Sequence, residues 1–121
     1  MEREHEEAMR TEFVAADRLN AKAFRDHYAG RCTETEFQQQ IEQGAEIDDR
    51  WVTGPYREQW IFLRNACDGW HLNPERMQRE LAADGLDDVQ RRSLEQAQEI
   101  EQDRASRRQQ LLRQYERSRQ R

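Results

Sequence analysis

Few residues in this chain have both the type and the spacing to do chemistry. Glu2 and His5 stand three apart, the E-x-x-H pattern that puts a carboxylate and an imidazole on one helix face. Carboxylate-bridged di-metal bundles use two such motifs and two further glutamates; here the pattern occurs once, at the start of the chain. Asp68 and His71 repeat the spacing but straddle Gly69, which predicts a helix break between them. Asp48-Asp49-Arg50-Trp51 sets carboxylates beside an indole, where burial would raise a carboxyl pKa toward acid–base use. The plainer reading pairs Asp48 with Arg57 or Arg64 across a helical hairpin. There is no nucleophile beside a base, no glycine-rich phosphate loop and no motif of known catalytic mechanics. Cys32 and Cys67 form no CxxC pair and read as buried free thiols of a reducing compartment. The expectation is a chain without catalytic residues, metal or cofactor, and not an enzyme.

The other unusual residues are charges. Residues 1–53 carry 7 basic and 13 acidic groups, residues 54–103 carry 6 and 11, and residues 104–121 carry 7 and 1. The last segment is thus a basic arm on an acidic body, and the overall charge is −5. That balance argues against a general nucleic-acid binder. Only Ala105 is apolar between Glu101 and Gln110, and Arg104 and Arg107 fall where the helical stripe calls for core; Leu111, Leu112 and Tyr115 then bring apolar surface back. Bare guanidinium groups are not buried cheaply.

Three readings of the arm follow. It is a solvated helix held by Glu101–Arg104 and Asp103–Arg107 pairs. It is a protein-binding or self-associating segment using Arg104, Arg107, Arg108, Leu111, Leu112 and Tyr115. Or it binds nucleic acid through Arg104, Arg107, Arg108, Arg113, Arg117, Arg119 and Arg121, which would neutralise several phosphates. The acidic start, Glu2, Glu4, Glu6 and Glu7, complements a helix dipole or offers the arm a docking surface, within the molecule or across a dimer.

These residues must be positioned by helices. Pro and Gly cut the chain into five segments. A first helix is predicted from about Glu2 to Ala29, with Met9, Phe13, Ala16, Asn20, Phe24 and His27 on one face and Gly30 as its stop. Thr33-x-x-Glu36 is a capping box for a second helix, to Val52, with the stripe Phe37, Ile41, Ala45, Asp48 and Trp51. A third, the most apolar, runs from Pro55 to about Cys67. Gly69 ends it, and Trp70-His71-Leu72 forms a connection that either tucks under the bundle or stands out as a binding patch. Asn73-Pro74-Glu75 opens a short fourth helix. The fifth starts at Asp87, with Gln90 three residues on, and continues past Arg113. Nothing alternates with the period of a strand.

The fold expected is therefore all-α, a bundle of about five helices with long first and last members, the last free to project as a coiled-coil arm. The bundle takes residues 1–100 and the basic extension residues 101–121. Apolar residues make up 35% of the chain and charged residues 37%, against roughly 45–50% (glycine included) and 25% in ordinary domains, so the core is thin and a partner surface is expected to complete it. Met1 to Glu7 lacks an apolar segment and no apolar run reaches the ~18 residues of a membrane span, so neither a signal peptide nor a membrane location is expected, and a cytoplasmic one is. In composition alone, a small, acidic, arginine- and glutamine-rich helical chain resembles bacterial accessory proteins such as secretion chaperones, phage-encoded inhibitors and plasmid maintenance factors; no motif carries residue roles across. The function expected is a non-catalytic binding module, regulatory, adaptor or inhibitor, whose partner is another protein, a homodimer being one such pairing. The alternative is a nucleic-acid-binding accessory protein using the arginine arm.

Overall fold

The computed structural model describes residues 2–119. The fold is all-α: α1 (Arg3–Tyr28), α2 (Glu34–Val52), α3 (Arg57–Leu72), α4 (Pro74–Ala82) and α5 (Asp88–Arg119), with no strand among the described residues. The first and last helices are the longest, at 26 and 32 residues. Arg121, one of the arginines of the nucleic-acid reading, lies outside the described residues. No helix is long and apolar enough to cross a membrane among those described. The chain divides into two compact units, residues 1–61 and 62–121.

In the first unit α1 and α2 form an antiparallel hairpin. Gly30 stands at φ +69° just after the Ala29 cap, the left-handed conformation that only glycine adopts without strain. Thr33 and Glu36 then form both halves of the capping box. The register runs from His27 stacked on Phe37 at the turn (ring centroids 4.3 Å apart) to Tyr56 Oη 3.2 Å from His5 Nδ1 at the open end. Midway, α2 presents Gly44 to α1: a β-carbon there would lie 2.8 Å from Asn20 Oδ1 and 3.6 Å from the Ala16 carbonyl. Gly44 therefore takes the buried face of α2, its one close neighbour the movable amide end of Asn20, while Ala45, expected in the stripe, is exposed. Ala23 is likewise buried in α1, and Phe24 is 46% exposed.

The open end of the hairpin is an aromatic cluster with carboxylate acceptors. Trp51 and Trp60 stack at 5.5 Å with planes 5° apart, and Phe13 meets Trp60 edge-on at 5.3 Å. Indoles in such a cluster must place their N–H groups. Trp60 Nε1 donates to Asp48 Oδ1 at 2.7 Å, and Trp51 Nε1 donates to Glu12, which Arg50 also approaches at 3.5 Å. Asp48 thus serves as acceptor for a buried indole. His5, the imidazole of the E-x-x-H pattern, meets the Tyr56 ring at 5.0 Å with the planes tilted by 34°.

In the second unit α3 does not stop at Gly69. It continues to Leu72, so Trp70, His71 and Leu72 are its last turn and Asp68 and His71 share a helical segment after all. A glycine inside a helix costs about 1 kcal/mol relative to alanine, and here it has a packing cause: a β-carbon at position 69 would lie 2.5 Å from Met77 Sδ. The bareness of Gly69 lets α4 lay Met77 (5% exposed) against α3. The other end of α3 also differs from expectation. Pro55 lies in the turn before the helix, which begins at Arg57 with Trp60 N–H bonded to the Tyr56 carbonyl. Asn73 caps α4 by accepting from Arg76 N–H at 3.1 Å, with Pro74 in the first turn. Asp87 and Gln90 exchange side-chain-to-backbone bonds of 2.7 and 3.2 Å where α5 opens. Trp70 is buried and fastened to α5 by Nε1 donating to the Leu94 carbonyl at 2.9 Å. Leu72 is 78% exposed, so the Trp70-His71-Leu72 segment is split between anchor and surface.

Candidate interaction surface on the last helix

Helix α5 spans about 48 Å at 1.5 Å per residue. Its first half is amphipathic in the ordinary way: Ser93, Leu94, Ala97, Ile100 and Glu101 are buried. Leu111, Leu112 and Tyr115 stand on the continuation of that same face, because steps of three and four residues carry 94, 97, 100 and 101 through 104 and 108 to 111, 112 and 115. Yet these three are 42%, 62% and 63% exposed. One face of one helix is therefore core over its first half and bare apolar surface over its second.

Between the two lies a layer of ion pairs. Glu101 is the last buried residue and a charged one, 8% exposed. Its Oε1 lies 2.6 Å from Arg108 Nη2 and 3.1 Å from His71 Nδ1, and its Oε2 lies 3.7 Å from Arg104 Nη1. Asp103 Oδ2 sits 3.2 Å from Arg107 Nε. Both pairs expected of a solvated helix, Glu101–Arg104 and Asp103–Arg107, are present. The sequence pattern did not show that Glu101 would be buried, nor that His71 would join it from α3. Its only sign was Glu101 standing one residue after Ile100, on the edge of the stripe.

The residues of the two binding readings are thus sorted. Arg104, Arg107 and Arg108 each have a carboxylate within 4 Å. Leu111, Leu112, Arg113, Tyr115, Arg117 and Arg119 are exposed along the last three turns. By helical periodicity Arg119 stands on the same face as the apolar cluster and Arg113 and Arg117 fall on the opposite side, so the arm has an apolar face and a basic back.

Comparison with known proteins finds no matching family model, no similar curated protein and no similar solved structure.

A second feature of the same unit is an open groove of about 390 Å³ between α3, α4 and the start of α5. Phe62, Ala66, Gly69, Leu72, Met77 and Leu94 supply its apolar walls, and Asp68, Arg76 and Glu80 stand among its polar ones. The polar side chains on its walls include two carboxylates and a guanidinium, with no hydroxyl, thiol or imidazole side chain among the lining residues. No group of three His, Cys, Asp or Glu side chains that could hold a metal occurs among the described residues.

The cysteines lie apart. Cys67 is buried in α3 and Cys32 is half-buried in the α1–α2 turn, which corrects the expectation that both are buried: the turn is too short to cover its own side chains. Desolvation and then the charges of Asp26, Glu36 and Glu34 push the Cys32 thiol above its ordinary pKa, with Lys22 opposing. An acidic surrounding of this kind makes an unreactive thiol.

Proposed function

We propose that this protein is a non-catalytic binding module, a regulatory, adaptor or inhibitor protein that acts through helix-mediated contacts of the far half of α5. One observation carries the reading. Leu111, Leu112 and Tyr115 continue the buried face of α5 but are left 42–63% exposed. An apolar stripe that includes Arg119, on a helix whose opposite side carries Arg113 and Arg117, is the amphipathic form of a helix that lies in a groove or against another helix, and arginine and tyrosine are enriched where protein interfaces hold their binding energy.

The nucleic-acid reading draws less support. It counted seven arginines, of which Arg104, Arg107 and Arg108 are engaged by Glu101 and Asp103. Phosphate would have to displace those carboxylates, and the acidic remainder of the chain repels it.

A photo-crosslinking residue at position 112 of the full-length chain, activated in the native host, tests the module reading. A discrete protein adduct at position 112, absent when the same residue is placed at exposed Glu95, is the expected result. The absence of any protein adduct at position 112 overturns the reading. A nucleic-acid adduct there, with retardation of nucleic acid that weakens steeply with salt, would replace it.

A further inference from the structure

We infer that the surface on α5 is completed by a second copy of this chain: the Leu111/Leu112/Tyr115 face of one copy's arm occupies the α3–α4–α5 groove of the other, reciprocally. This deepens the binding-module reading and rests on it.

The argument begins with charge. Arg104, Arg107 and Arg108 are engaged within the chain by Glu101 and Asp103; outside that layer, residues 62–100 of the second unit hold eight acidic and five basic side chains, a net −3, while residues 109–119 hold three arginines and Glu116, a net +2. Two arms side by side, as in a coiled coil of equivalent segments, would set like charge against like. An arm laid on the body of a second copy sets a basic segment against an acidic one. The local charges agree on balance: the groove walls carry Asp68 and an Arg76–Glu80 pair at 3.0 Å, and around them Glu75, Asp84, Asp87 and Asp88 are exposed on α4, the following loop and the first residue of α5, with Arg79 opposing. Electrostatic complementarity of this kind selects partner and register.

The apolar parts match as well. The arm offers Leu111, Leu112 and Tyr115; the groove offers half-buried Phe62 and Leu72, 78% exposed at its edge, over a floor of buried Ala66 and Met77. The arm cannot fill its own groove. Leu112 and groove-lining Leu94 belong to one uninterrupted helix and are held about 27 Å apart along it. Each copy thus carries a basic apolar knob and a distant acidic apolar seat. Two copies related by a two-fold axis satisfy both knobs and both seats at once, and the assembly closes as a dimer instead of growing into a chain.

Light scattering on the full-length chain reads the result, using variants at two exposed positions that leave the helices folded, as circular dichroism checks. Wild type is expected at twice the 14.7 kDa chain mass. Leu112→Glu, which spoils the knob, and Leu72→Glu, which spoils the seat, are each expected to be monomeric. Mixing the two variants is expected to restore a dimer fraction, because a Leu72→Glu knob still fits a Leu112→Glu seat. A wild type that is monomeric throughout a dilution series overturns the second copy as occupant; an adduct to a different protein at position 112 would then leave the module reading standing. A dimer broken by Leu112→Glu but untouched by Leu72→Glu means arm-to-arm pairing and overturns the reciprocal arrangement. A mixture that stays monomeric overturns it too.

Discussion

Arg108 Nη2 lies 2.6 Å from Glu101 Oε1, two turns back along the same helix, and His71 Nδ1 reaches that oxygen from α3 at 3.1 Å. Glu101 is the last buried residue on α5, and Arg104, Ala105 and Arg107 beyond it are half-buried. The Glu101 carboxylate is nearly covered, while Arg108 remains about half exposed and His71 slightly more so.

Replacing Glu101 with alanine is expected to lower stability by about 1–3 kcal/mol, the range for a hydrogen-bonded charged group, and to leave three cationic or polar side chains around an empty position. Arg108→Ala, removing an exposed partner, should cost no more than about 1 kcal/mol. Denaturant unfolding of both variants checks the order. Equal losses, or none for Glu101→Ala, would mean that this layer does not hold the start of the arm.

In the first unit the same rule operates on an indole. Trp60 is 1% exposed, packed on Trp51 and Phe13, with its N–H on Asp48. Trp60→Ala is expected to cost about 3–5 kcal/mol. Asp48→Ala is expected to cost about 1–3 kcal/mol by stranding a buried donor. In Trp60→Phe there is no donor, so a further Asp48→Ala should cost less than it does in wild type. Additive losses in that double-mutant cycle would remove the hydrogen bond from the account.

The two helical glycines should respond to alanine with opposite signs. At Gly44 the obstacle is the amide end of Asn20, an exposed side chain free to swing away, so Gly44→Ala should be neutral or stabilising by up to about 1 kcal/mol. At Gly69 the obstacle is buried Met77, three of whose atoms lie within 3.2 Å of the new methyl group. Overpacking costs about 1–3 kcal/mol, and Gly69→Ala should be net destabilising. Thermal melts of the two variants decide it.

The thiols make a test of the electrostatics. Cys32 should react with a disulfide reagent more slowly than a model thiol at neutral pH, its rate rising to a plateau only above the ordinary thiol pKa, because desolvation and then Asp26, Glu36 and Glu34 disfavour the thiolate. Glu36→Gln should move the midpoint down. A midpoint at or below the ordinary value would contradict the geometry of the turn. Cys67 should react only on unfolding.

Much of the fold was legible because its signals are local. The Thr33–Glu36 box, the Asn73-Pro74 start, the Asp87–Gln90 pair and Gly30 act through neighbours in sequence, and each does in the structure what its residue types imply. The errors arose where a distant residue decides. Gly69 reads as a stop until Met77 is known to lie on it, and a stripe drawn through Ala45 misses Gly44 until α1 is known to pass beside it. The arm was visible as an interruption of the apolar pattern, and its two ion pairs follow from spacing alone. The contribution of His71 was hidden, because nothing in a linear pattern brings residue 71 to residue 101.

The intimacy of Met77 with Gly69 also sets what oxidation would do once it reaches a sulfur whose residue is only 5% exposed. Adding an oxygen to the thioether creates a larger, polar sulfoxide in a side chain that leaves no room for a methyl group on its Gly69 side, so oxidation of this single sulfur is expected to loosen α4 from α3 and alter a wall of the groove. A peroxide-treated sample should lose thermal stability in step with the sulfoxide at position 77 found by mass spectrometry, and a methionine sulfoxide reductase should return it.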